Sequence, residues 1–270
     1  MSDADKVFAG SIPGIYDTYF VPLIFSDFAD DIARRVAALS PSALLETAAG
    51  TGAVTRAMAA ALPHHFRYVA TDLNEPMLAI AAQRQAGDPR ISWRQADASA
   101  LPFDDAEFDV VCCQFGAMFF PDRVKAYAEA RRVLKPNGTF VFNVWDRIEE
   151  NVFAHEVTMA LGKLFPDDPP RFMARTPHGY HDKAVIKADL EGAGFRDISI
   201  ETRPALSRAP TAEQVAFAYC QGTPLRSEIE ARDASKFQAA TDAVAEVIRT
   251  RHGSGPVEAK IQALVITARP

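Results

Sequence analysis

Two short segments of the sequence carry small and acidic residues in a pattern that suits the binding of a nucleotide-like ligand. The first follows the apolar run Ala43-Leu44-Leu45 and reads Glu46-Thr47-Ala48-Ala49-Gly50-Thr51-Gly52, ahead of an alanine-rich helical stretch. Small residues in such a turn let the backbone approach a ligand, and the helix beyond it presents unpaired N–H groups. The second is Asp72, about 20 residues after Gly50, the interval at which an acidic side chain reaches a pair of ribose hydroxyls.

Neighbouring residues narrow the choice of ligand. A dinucleotide fingerprint reads G-x-G-x-x-G, but the third glycine is replaced here by Thr55. Glu46 at the mouth of the loop would disfavour a diphosphate and would suit a ligand with a cationic ammonium or sulfonium group. Asp97 could accept a hydrogen bond from an adenine amine.

The elements that must position these residues alternate as strand and helix. Such alternation is typical of parallel βαβ units, and strands with almost no charge indicate a sheet that is covered on both faces. Asn74 and Asp122 are predicted to cap two of the helices. The predicted strands are 43–45, 66–71, 91–95, 108–113 and 139–145.

The alternation is interrupted after Trp145. An apolar helical stretch, 152–164, is followed by a proline-rich segment, and Asp182 is predicted to cap a helix that ends near Gly192. A strand over 198–202, two helices with capping boxes and a last strand over 261–267 complete the chain. The capping boxes are Thr211-Ala212-Glu213-Gln214 and Ser227-Glu228-Ile229-Glu230.

Four motifs in this order resemble those of the class I S-adenosylmethionine-dependent methyltransferases. Within them, the chain is most similar to the group that includes the ubiquinone and menaquinone C-methyltransferases, and the resemblance covers about half of the sequence. The motifs are 44–52, Asp72, Gln95-Ala96-Asp97-Ala98 and Arg131-Arg132-Val133-Leu134-Lys135-Pro136-Asn137-Gly138, with Leu101-Pro102-Phe103 and Phe108-Asp109-Val110-Val111 between the last two.

The resemblance implies an α/β fold with a Rossmann-like, seven-stranded, mostly parallel sheet, an antiparallel last strand, helices on both faces and a helical lid. It also implies S-adenosylmethionine as the cofactor and S-adenosylhomocysteine as the product. The loop 46–52 would surround the methionine part, with Gln114 and Phe115 beside it. Asp72 would bind the ribose. The adenine would be contacted by Leu73, Met77, Asp97 and Ala98. The implied cofactor-binding residues are Glu46, Ala48, Gly50, Thr51, Gly52, Asp72, Leu73, Met77, Asp97, Ala98, Gln114 and Phe115.

The sequence departs from the family pattern in two places. Ala48 replaces the first glycine of the loop, and we expect a negative φ there because alanine has a Cβ. Residues 146–151 do not match the quinone C-methyltransferases, so we do not transfer their substrate to this chain.

Six further residues are candidates to face the acceptor. We expect the N-terminal segment around Tyr16 and Tyr19, together with 152–180, to close over the cofactor. Tyrosine suits such a wall, although both tyrosines could instead pack the first helix against the sheet. His178, Tyr180 and His181 could instead form a turn before the Asp182 helix, and Phe119 could instead pack in the core. The candidates are Tyr16, Tyr19, Phe119, His178, Tyr180 and His181.

Composition excludes other classes of protein. The chain has 270 residues and a formal net charge of −6, which disfavours nucleic acid or an anionic membrane as a partner. Its three cysteines fit neither a disulfide framework nor a zinc site, and we expect no metal, no membrane span and a cytoplasmic location. The oligomeric state is left open.

The chain is expected to divide into three regions. We expect an N-terminal cap segment over 1–40, a cofactor-binding core over 41–146, and a lid with the C-terminal strands over 147–270.

The sequence therefore predicts an enzyme that moves a methyl group from S-adenosylmethionine to a small-molecule acceptor by in-line displacement. It assigns no catalytic residue, because a general base is needed only if the acceptor must lose a proton. Two alternatives are an NAD(P)-dependent oxidoreductase and a non-catalytic S-adenosylmethionine-binding protein.

Overall fold

The computed structural model describes residues 10–62 and 66–270, so residues 1–9 of the predicted N-terminal segment lie outside the described residues. Within these ranges the strands form one seven-stranded mixed sheet with the order β3-β2-β1-β4-β5-β7-β6. The predicted α/β class and Rossmann-like sheet are confirmed. The strands are β1 (Ala43–Glu46), β2 (Arg67–Asp72), β3 (Ile91–Gln95), β4 (Phe108–Gln114), β5 (Leu134–Trp145), β6 (Asp197–Ala209) and β7 (Val257–Arg269).

Helices connect most of the strands. A π-helical turn over Tyr16–Phe20 separates the first two helices. The helices are α1 (Ile12–Ile15), α2 (Val21–Ile24), α3 (Ser26–Ala38), α4 (Ala53–Ala61), α5 (Glu75–Arg84), α6 (Arg123–Val133), α7 (Val152–Leu164), α8 (Phe172–Arg175), α9 (Lys183–Gly192), α10 (Ala212–Gln221), α11 (Leu225–Asp233) and α12 (Phe237–His252).

The first five strands pair in parallel: β1 with β2 and β4, β2 with β3, and β4 with β5. Parallel strands need crossover connections, and here α4, α5 and α6 supply three of them. The order reverses at β1, because the chain adds β2 and β3 on one side of it and then returns to add β4 and β5 on the other.

The described chain forms two compact units. The sheet unit contains Ser26–Val144, Tyr180–Arg203 and Ala263–Pro270, and the helical unit contains residues 10–25, Trp145–Gly179 and Pro204–Gln262. The boundaries predicted at residues 40 and 146 remain a prediction about how the functions divide along the chain.

Both faces of the sheet unit's central strands are covered by helices. On one face, Leu44, Cys112 and Val141 from three neighbouring strands pack with residues of α3 and α4 such as Ile32 and Met58. On the other, the ring of Tyr127 in α6 lies 5.6 Å from that of Phe140. Burial of apolar side chains on both faces explains why these strands carry few charges.

Three of the predicted helix caps are present. Asp122 accepts a hydrogen bond from the N–H of Lys125, Asp182 accepts from Ala184 and Val185, and Thr211 accepts from Gln214. In each case the partner lies two or three residues away, so the bond depends on local sequence alone.

Two other capping predictions differ from the structure. Asn74 is the N-cap residue of α5, as predicted, but its side chain makes no capping bond; its Nδ2 and its backbone N–H both donate to Asp72 Oδ1. Ser227 lies inside α11, whose N-cap residue is Pro224, and α12 adds a third helix where we predicted two before the last strand.

The fifth strand also begins earlier than predicted. Leu134 pairs with Phe108, and the register then jumps so that Val110 pairs with Thr139. The residues between Leu134 and Thr139 form an irregularity in the ladder, which a proline and a glycine in that segment permit.

All three cysteines lie in the described part of the chain, and all three are buried and form no disulfide. Burial raises the pKa of Cys113 and of Cys220 to about 12, so both thiols are unreactive at neutral pH. Among the described helices, none has both the length and the apolar character that crossing a bilayer requires.

Candidate cofactor-binding site

The predicted site residues lie where the order of the strands reverses. Glu46, Asp72, Gln95 and Gln114 are the last residues of β1 to β4. In open parallel sheets, ligands bind outside the carboxyl ends of the strands at such a switch point. The candidate site is therefore this edge of the sheet unit.

The residues Glu46–Gly52, here called the β1 loop, adopt an alternating backbone conformation. Ala48, Gly50 and Gly52 have φ values of +53°, +57° and +80°. Several N–H groups of this loop bond within the protein, that of Ala49 to Thr71, that of Gly50 to Asp72 and that of Gly52 to Ala49. The small side chains of the loop still allow a close approach to its backbone.

The expectation of a negative φ at Ala48 was wrong. The N–H of Thr47 donates to the carbonyl of Cys112 at 2.9 Å, and that of Ala49 donates to the carbonyl of Thr71 at 2.9 Å. Bonds to the strands on both sides thus hold the residues that flank Ala48. They impose a left-handed conformation, which costs an alanine about 1–2 kcal/mol.

The two glycines of the β1 loop are required for different reasons. A Cβ on Gly52 would lie 3.0 Å from the Cβ of Ala81 in α5, whereas a Cβ on Gly50 would meet nothing closer than Met77 Cε at 3.8 Å. Gly52 therefore permits close packing of helices α4 and α5, while Gly50 is needed for its positive φ and leaves open space beside it.

Glu46 lies beneath the loop, with only 1% of its surface exposed. Its Oε2 accepts hydrogen bonds from Thr55 Oγ1 at 2.6 Å and from the hydroxyl of Tyr68. Burial raises the pKa of Glu46 to about 7 despite these two donors. Thr55, which replaces the third glycine, thus ties α4 to β1; a contact between Glu46 and a cationic ligand remains a prediction.

Asp72 closes β2 and is nearly buried. Its Oδ2 accepts from the N–H of Gly50 at 2.8 Å, and its Oδ1 accepts from the N–H of Asn74 at 2.7 Å. Burial raises its pKa even though these backbone donors favour the charged form. Asn74 Nδ2 also lies 3.4 Å from Oδ1, whereas Oδ2 has one donor and can accept a second bond. The carboxylate therefore suits a bond to a ribose hydroxyl.

The residues expected to hold the adenine lie on and beside β2 and β3. Leu73 is 49% exposed, while Met77 is buried. The side-chain amide of Gln95 donates to the carbonyl of Leu73 at 2.8 Å. Exposed Asp97 accepts from the N–H of Ser99 at 2.8 Å, and Ala98 is half-buried. The adenine-binding roles remain predictions.

The residues Gln114–Gly116, here called the β4 turn, lie against the β1 loop. A Cβ on Gly116 would meet the Cβ of Ala48 and would lie 2.7 Å from Cys113 Sγ. Phe115 has a φ of +49°, and its ring packs edge-on against that of Phe28 in α3, with the centroids 5.3 Å apart. Two regions that are more than 60 residues apart in sequence are thus in direct contact.

Three buried side-chain atoms in the described part of the chain have no hydrogen-bond partner: Thr51 Oγ1, Gln114 Oε1 and Asn143 Nδ2. They belong to the β1 loop, the end of β4 and β5, which are neighbours in the sheet. Buried polar atoms are normally paired because desolvation without a partner costs about 1–3 kcal/mol. Their location at one edge fits a polar ligand such as S-adenosylmethionine, whose amino-acid end has both donors and acceptors.

Sequence reasoning missed Asn143. The available signal was a single amide in the otherwise apolar strand Thr139-Phe140-Val141-Phe142-Asn143-Val144-Trp145. A polar residue there must find a partner or serve a ligand.

Three acceptor-facing candidates belong to the helical unit. The ring of Tyr16 lies 5.5 Å from that of Phe20, and Tyr19 packs edge-on against Phe217. His178 is buried, and its Nδ1 lies 2.9 Å from the carbonyl oxygen of Asp146. These contacts describe packing within the unit, and the acceptor-facing roles remain predictions.

The other three candidates, Phe119, Tyr180 and His181, belong to the sheet unit. Phe119 is half-buried and His181 is exposed. The hydroxyl of Tyr180 donates to Asp189 Oδ2 at 2.8 Å and lies 3.3 Å from that of Tyr127, and burial raises its pKa. Its hydroxyl is thus engaged with α6 and α9. Across the described ranges, no group of side chains is arranged to hold a metal ion.

Comparison of the sequence with known proteins identifies the family. A family model described as a methyltransferase domain matches residues 45–142. The demethylmenaquinone methyltransferase of Clavibacter sepedonicus is 32% identical over 174 residues, which cover 61% of this chain and 70% of that protein. The ubiquinone/menaquinone biosynthesis C-methyltransferase UbiE of Burkholderia mallei is 33% identical over 161 residues, covering 56% and 66%.

A solved structure shows the same fold. Haemonchus contortus phosphoethanolamine N-methyltransferase 2, in complex with phosphomonomethylethanolamine and S-adenosylhomocysteine, has a TM-score of 0.60 at 17% identity. The similarity covers 100% of this chain and 61% of that one.

The chain therefore belongs to the class I S-adenosylmethionine-dependent methyltransferases. It is an S-adenosylmethionine-dependent methyltransferase, with S-adenosylhomocysteine as the product, which confirms the predicted enzyme class and cofactor. The nicotinamide-dependent alternative does not fit this membership.

Proposed function

We propose that the enzyme transfers the methyl group to a small-molecule acceptor by in-line displacement at the carboxyl edge of β1, β4 and β5. The observation that carries the proposal is the set of unpaired buried atoms on Thr51, Gln114 and Asn143, close in the fold to Asp72. The names of two similar proteins, a demethylmenaquinone methyltransferase and a phosphoethanolamine N-methyltransferase, support a small molecule as the acceptor.

The residues of this edge have separate tasks in the proposal. Asp72 accepts from a ribose hydroxyl through the lone pair of Oδ2 that Gly50 leaves available. Half-exposed Leu73 and neighbouring Met77 pack on the adenine, and Asp97 with Ala98 lies at its polar edge. The β1 loop surrounds the methionine part.

Methyl transfer from S-adenosylmethionine depends mainly on the alignment of the acceptor with the methyl group, and less on a residue that transfers a proton. S-adenosylmethionine supplies an activated methyl group on a sulfonium, so the chain has to hold the acceptor in line and exclude water. Positioning of this kind contributes up to about 7–11 kcal/mol to lowering a barrier. A base is required only for an acceptor that reacts after losing a proton, and we assign none.

A labelling experiment tests the proposal. Purified enzyme is incubated with S-adenosylmethionine that carries a trideuterated methyl group and with a metabolite extract, and products are detected by mass spectrometry. We expect a labelled small molecule that forms in much smaller amount with Asp72→Ala enzyme at the same, subsaturating cofactor concentration. Cofactor binding without any labelled product would instead favour a non-catalytic S-adenosylmethionine-binding protein.

The closure of residues 10–25 and 152–180 over the bound cofactor remains a prediction from the sequence alone. The support is chemical, because both segments carry large aromatic side chains that suit a wall facing a sulfonium. Amide hydrogen exchange in both segments should slow when S-adenosylhomocysteine is bound at saturation, because closure suppresses local opening. Unchanged exchange would contradict a moving lid.

A further inference from the structure

An arginine in α6 binds the backbone of the segment that follows β3. The guanidinium of Arg132 donates to the carbonyls of Leu101 at 2.9 Å and of Phe103 at 2.8 Å. It also donates to Asp105 Oδ1 at 2.8 Å, and its other two N–H groups donate to the carboxylate of Glu129 at 2.8 Å each. A guanidinium has five N–H groups, so all those of Arg132 have partners within the protein.

Glu129 binds the same segment from the same helix. Its Oε2 accepts a hydrogen bond from the N–H of Leu101 at 2.8 Å, so Glu129 and Arg132 together hold both backbone polar groups of this buried residue. The hydrogen bond from Arg132 lowers the pKa of Glu129, which keeps the carboxylate charged at neutral pH. The two residues are three positions apart on α6 and therefore lie on one face of it. They are called here the α6 clamp.

Short-range hydrogen bonds connect the clamped residue to Asp97. The N–H of Ala100, the residue before Leu101, donates to the carbonyl of Asp97 at 3.0 Å. The N–H and the hydroxyl of Ser99 donate to Asp97 Oδ1 at 2.8 Å and 2.7 Å. A turn that is closed by bonds of this kind moves as one piece, so a shift of Leu101 also displaces the carboxylate of Asp97.

The other end of this segment is attached to β2. The N–H of Ala96 donates to the carbonyl of Asp72 at 3.0 Å, and the side-chain amide of Gln95 donates to the carbonyl of Leu73 at 2.8 Å. Asp97 thus lies between two attachment points, one on β2 and one on α6. The β2 attachment relates it to the proposed ribose ligand, and the clamp fixes the remaining side.

We propose that the α6 clamp positions Asp97 for recognition of the adenine and so determines how well the enzyme distinguishes adenine from other bases. The inference rests on the proposed function, in which Asp97 lies at the polar edge of the adenine. All five N–H groups of Arg132 are bonded within the protein, so the clamp acts through Asp97 and not on the base. Hydrogen bonds weaken steeply with misalignment, so a displaced carboxylate loses its preference for the exocyclic amine.

The test compares two ligands that differ in the base. S-adenosylhomocysteine has the exocyclic amine, whereas S-inosylhomocysteine has a carbonyl in its place and a proton on the adjacent ring nitrogen. We expect the wild-type enzyme to bind the first about 10- to 100-fold more tightly, and Asp97→Ala to reduce this ratio to about threefold or less. Titration calorimetry gives both dissociation constants. Their ratio is the readout, because a loss of stability that leaves the protein folded does not change it.

Variants of the clamp carry the decisive comparison. Arg132→Leu should lower the ratio by at least about fivefold, and Arg132→Lys, which keeps the charge and three donors, should lower it by only about two- to threefold. Arg131→Leu is the matched control, because it removes the same charge from an exposed position of α6 and should leave the ratio within about twofold of wild type. If Arg132→Leu does not fold, Arg132→Lys and Glu129→Gln replace it, with the same two- to threefold decrease expected of each.

The possible results separate this inference from the proposed function. An unchanged ratio in the clamp variants, even with weaker binding of both ligands, would overturn the inference and show that the clamp only stabilises the fold. A wild-type ratio near one, or a ratio that Asp97→Ala retains, would overturn the adenine role of Asp97 and this inference, while methyl transfer would stand. A wild-type enzyme that binds neither ligand would overturn the proposed function as well.

Discussion

Two buried asparagines, one in each unit, differ in how many of their polar side-chain atoms have hydrogen-bond partners. In the helical unit, Asn151 Nδ2 lies 3.2 Å from the carbonyl oxygens of Asp146, Arg147 and Gln262, and its Oδ1 accepts from the N–H of Gln262 at 3.0 Å. In the sheet unit, Asn143 is buried to the same extent but leaves its Nδ2 unpaired. Both polar atoms of the Asn151 amide thus have partners within the protein, whereas Asn143 Nδ2 has none.

The same contrast holds for other buried groups. Glu156 of the helical unit lies 2.9 Å from His252 Nε2 and 3.2 Å from Arg251, and the hydroxyl of Ser207 donates to the carbonyl of Leu23 at 2.8 Å. The three unpaired buried atoms in the described chain all belong to the sheet unit. Because unpaired buried atoms cost stability, we take their concentration at one edge as support for the proposed ligand site.

The largest expected effect is a loss of cofactor binding when the open space beside Gly50 is filled. Gly50→Val should abolish detectable cofactor binding, a loss of more than about 100-fold, or roughly 2.7 kcal/mol, because valine fills that space and cannot adopt a φ of +57° without strain. Calorimetry with S-adenosylhomocysteine measures it. Gly87→Val is the matched control, because Gly87 also has a positive φ, +94°, and a Cβ there meets nothing within 4 Å. If both valine variants bind equally, the β1 loop is not the site.

A second prediction concerns the buried carboxyl of Glu46. Its pKa in the folded protein, about 7, exceeds its ordinary value of 4.5, so the protonated form stabilises the fold. That stabilisation is fully present below about pH 4.5 and is lost as the pH rises through 7, with a magnitude on the order of 3 kcal/mol. Glu46→Gln still accepts from Thr55 and Tyr68 but cannot ionise.

Urea unfolding at pH 5 and pH 8 tests this prediction. The wild-type free energy of unfolding should fall between the two pH values by more than that of Glu46→Gln, because the other titrating groups are common to both proteins. The same pH dependence in both would show that Glu46 ionises in the folded state as it does in the unfolded chain.

A comparison of two aspartates comes third. Asp72→Ala should weaken S-adenosylhomocysteine binding by about 1.5–3 kcal/mol, or roughly 10- to 150-fold, because a charged acceptor for hydroxyls is lost. The control, Asp109→Ala, removes a carboxylate that accepts from the N–H groups of Ser42 and Ala43 near the other end of the strands. We expect Asp109→Ala to lower stability and to leave the dissociation constant unchanged. An unchanged constant in Asp72→Ala would remove the ribose assignment.

The smallest expected effect is at Ala48. Ala48→Gly relieves the strain of a positive φ but makes the unfolded chain more flexible and removes the methyl group next to Gly116. These changes oppose one another, so we expect binding to change by less than about twofold and the free energy of unfolding by less than about 1 kcal/mol. A large loss of binding would show that the methyl group itself shapes the site.

Local sequence was sufficient for much of the fold. The alternation of apolar strands and helices predicted the α/β sheet, and the caps at Asp122, Asp182 and Thr211 formed because donor and acceptor are only two or three residues apart. At Asn74 two local bonds were possible, and the side chain donates to Asp72 Oδ1, two residues before it, instead of accepting a capping bond in α5. The family motifs located the candidate loop, the acidic residue and the end of β4.

Only the tertiary structure decided how these segments contact one another. The positive φ of Ala48 follows from hydrogen bonds of its neighbours to β2 and β4. The position of Asn143 beside Gln114 follows from the pairing of β5 with β4. No pattern of spacing contains this information, since it depends on strands that the crossovers bring together from distant parts of the chain. The sequence by itself determined the class of cofactor and the elements that carry the candidate site. The fold determined which buried polar atoms at that site remain unpaired, because pairing depends on three-dimensional proximity and not on order along the chain.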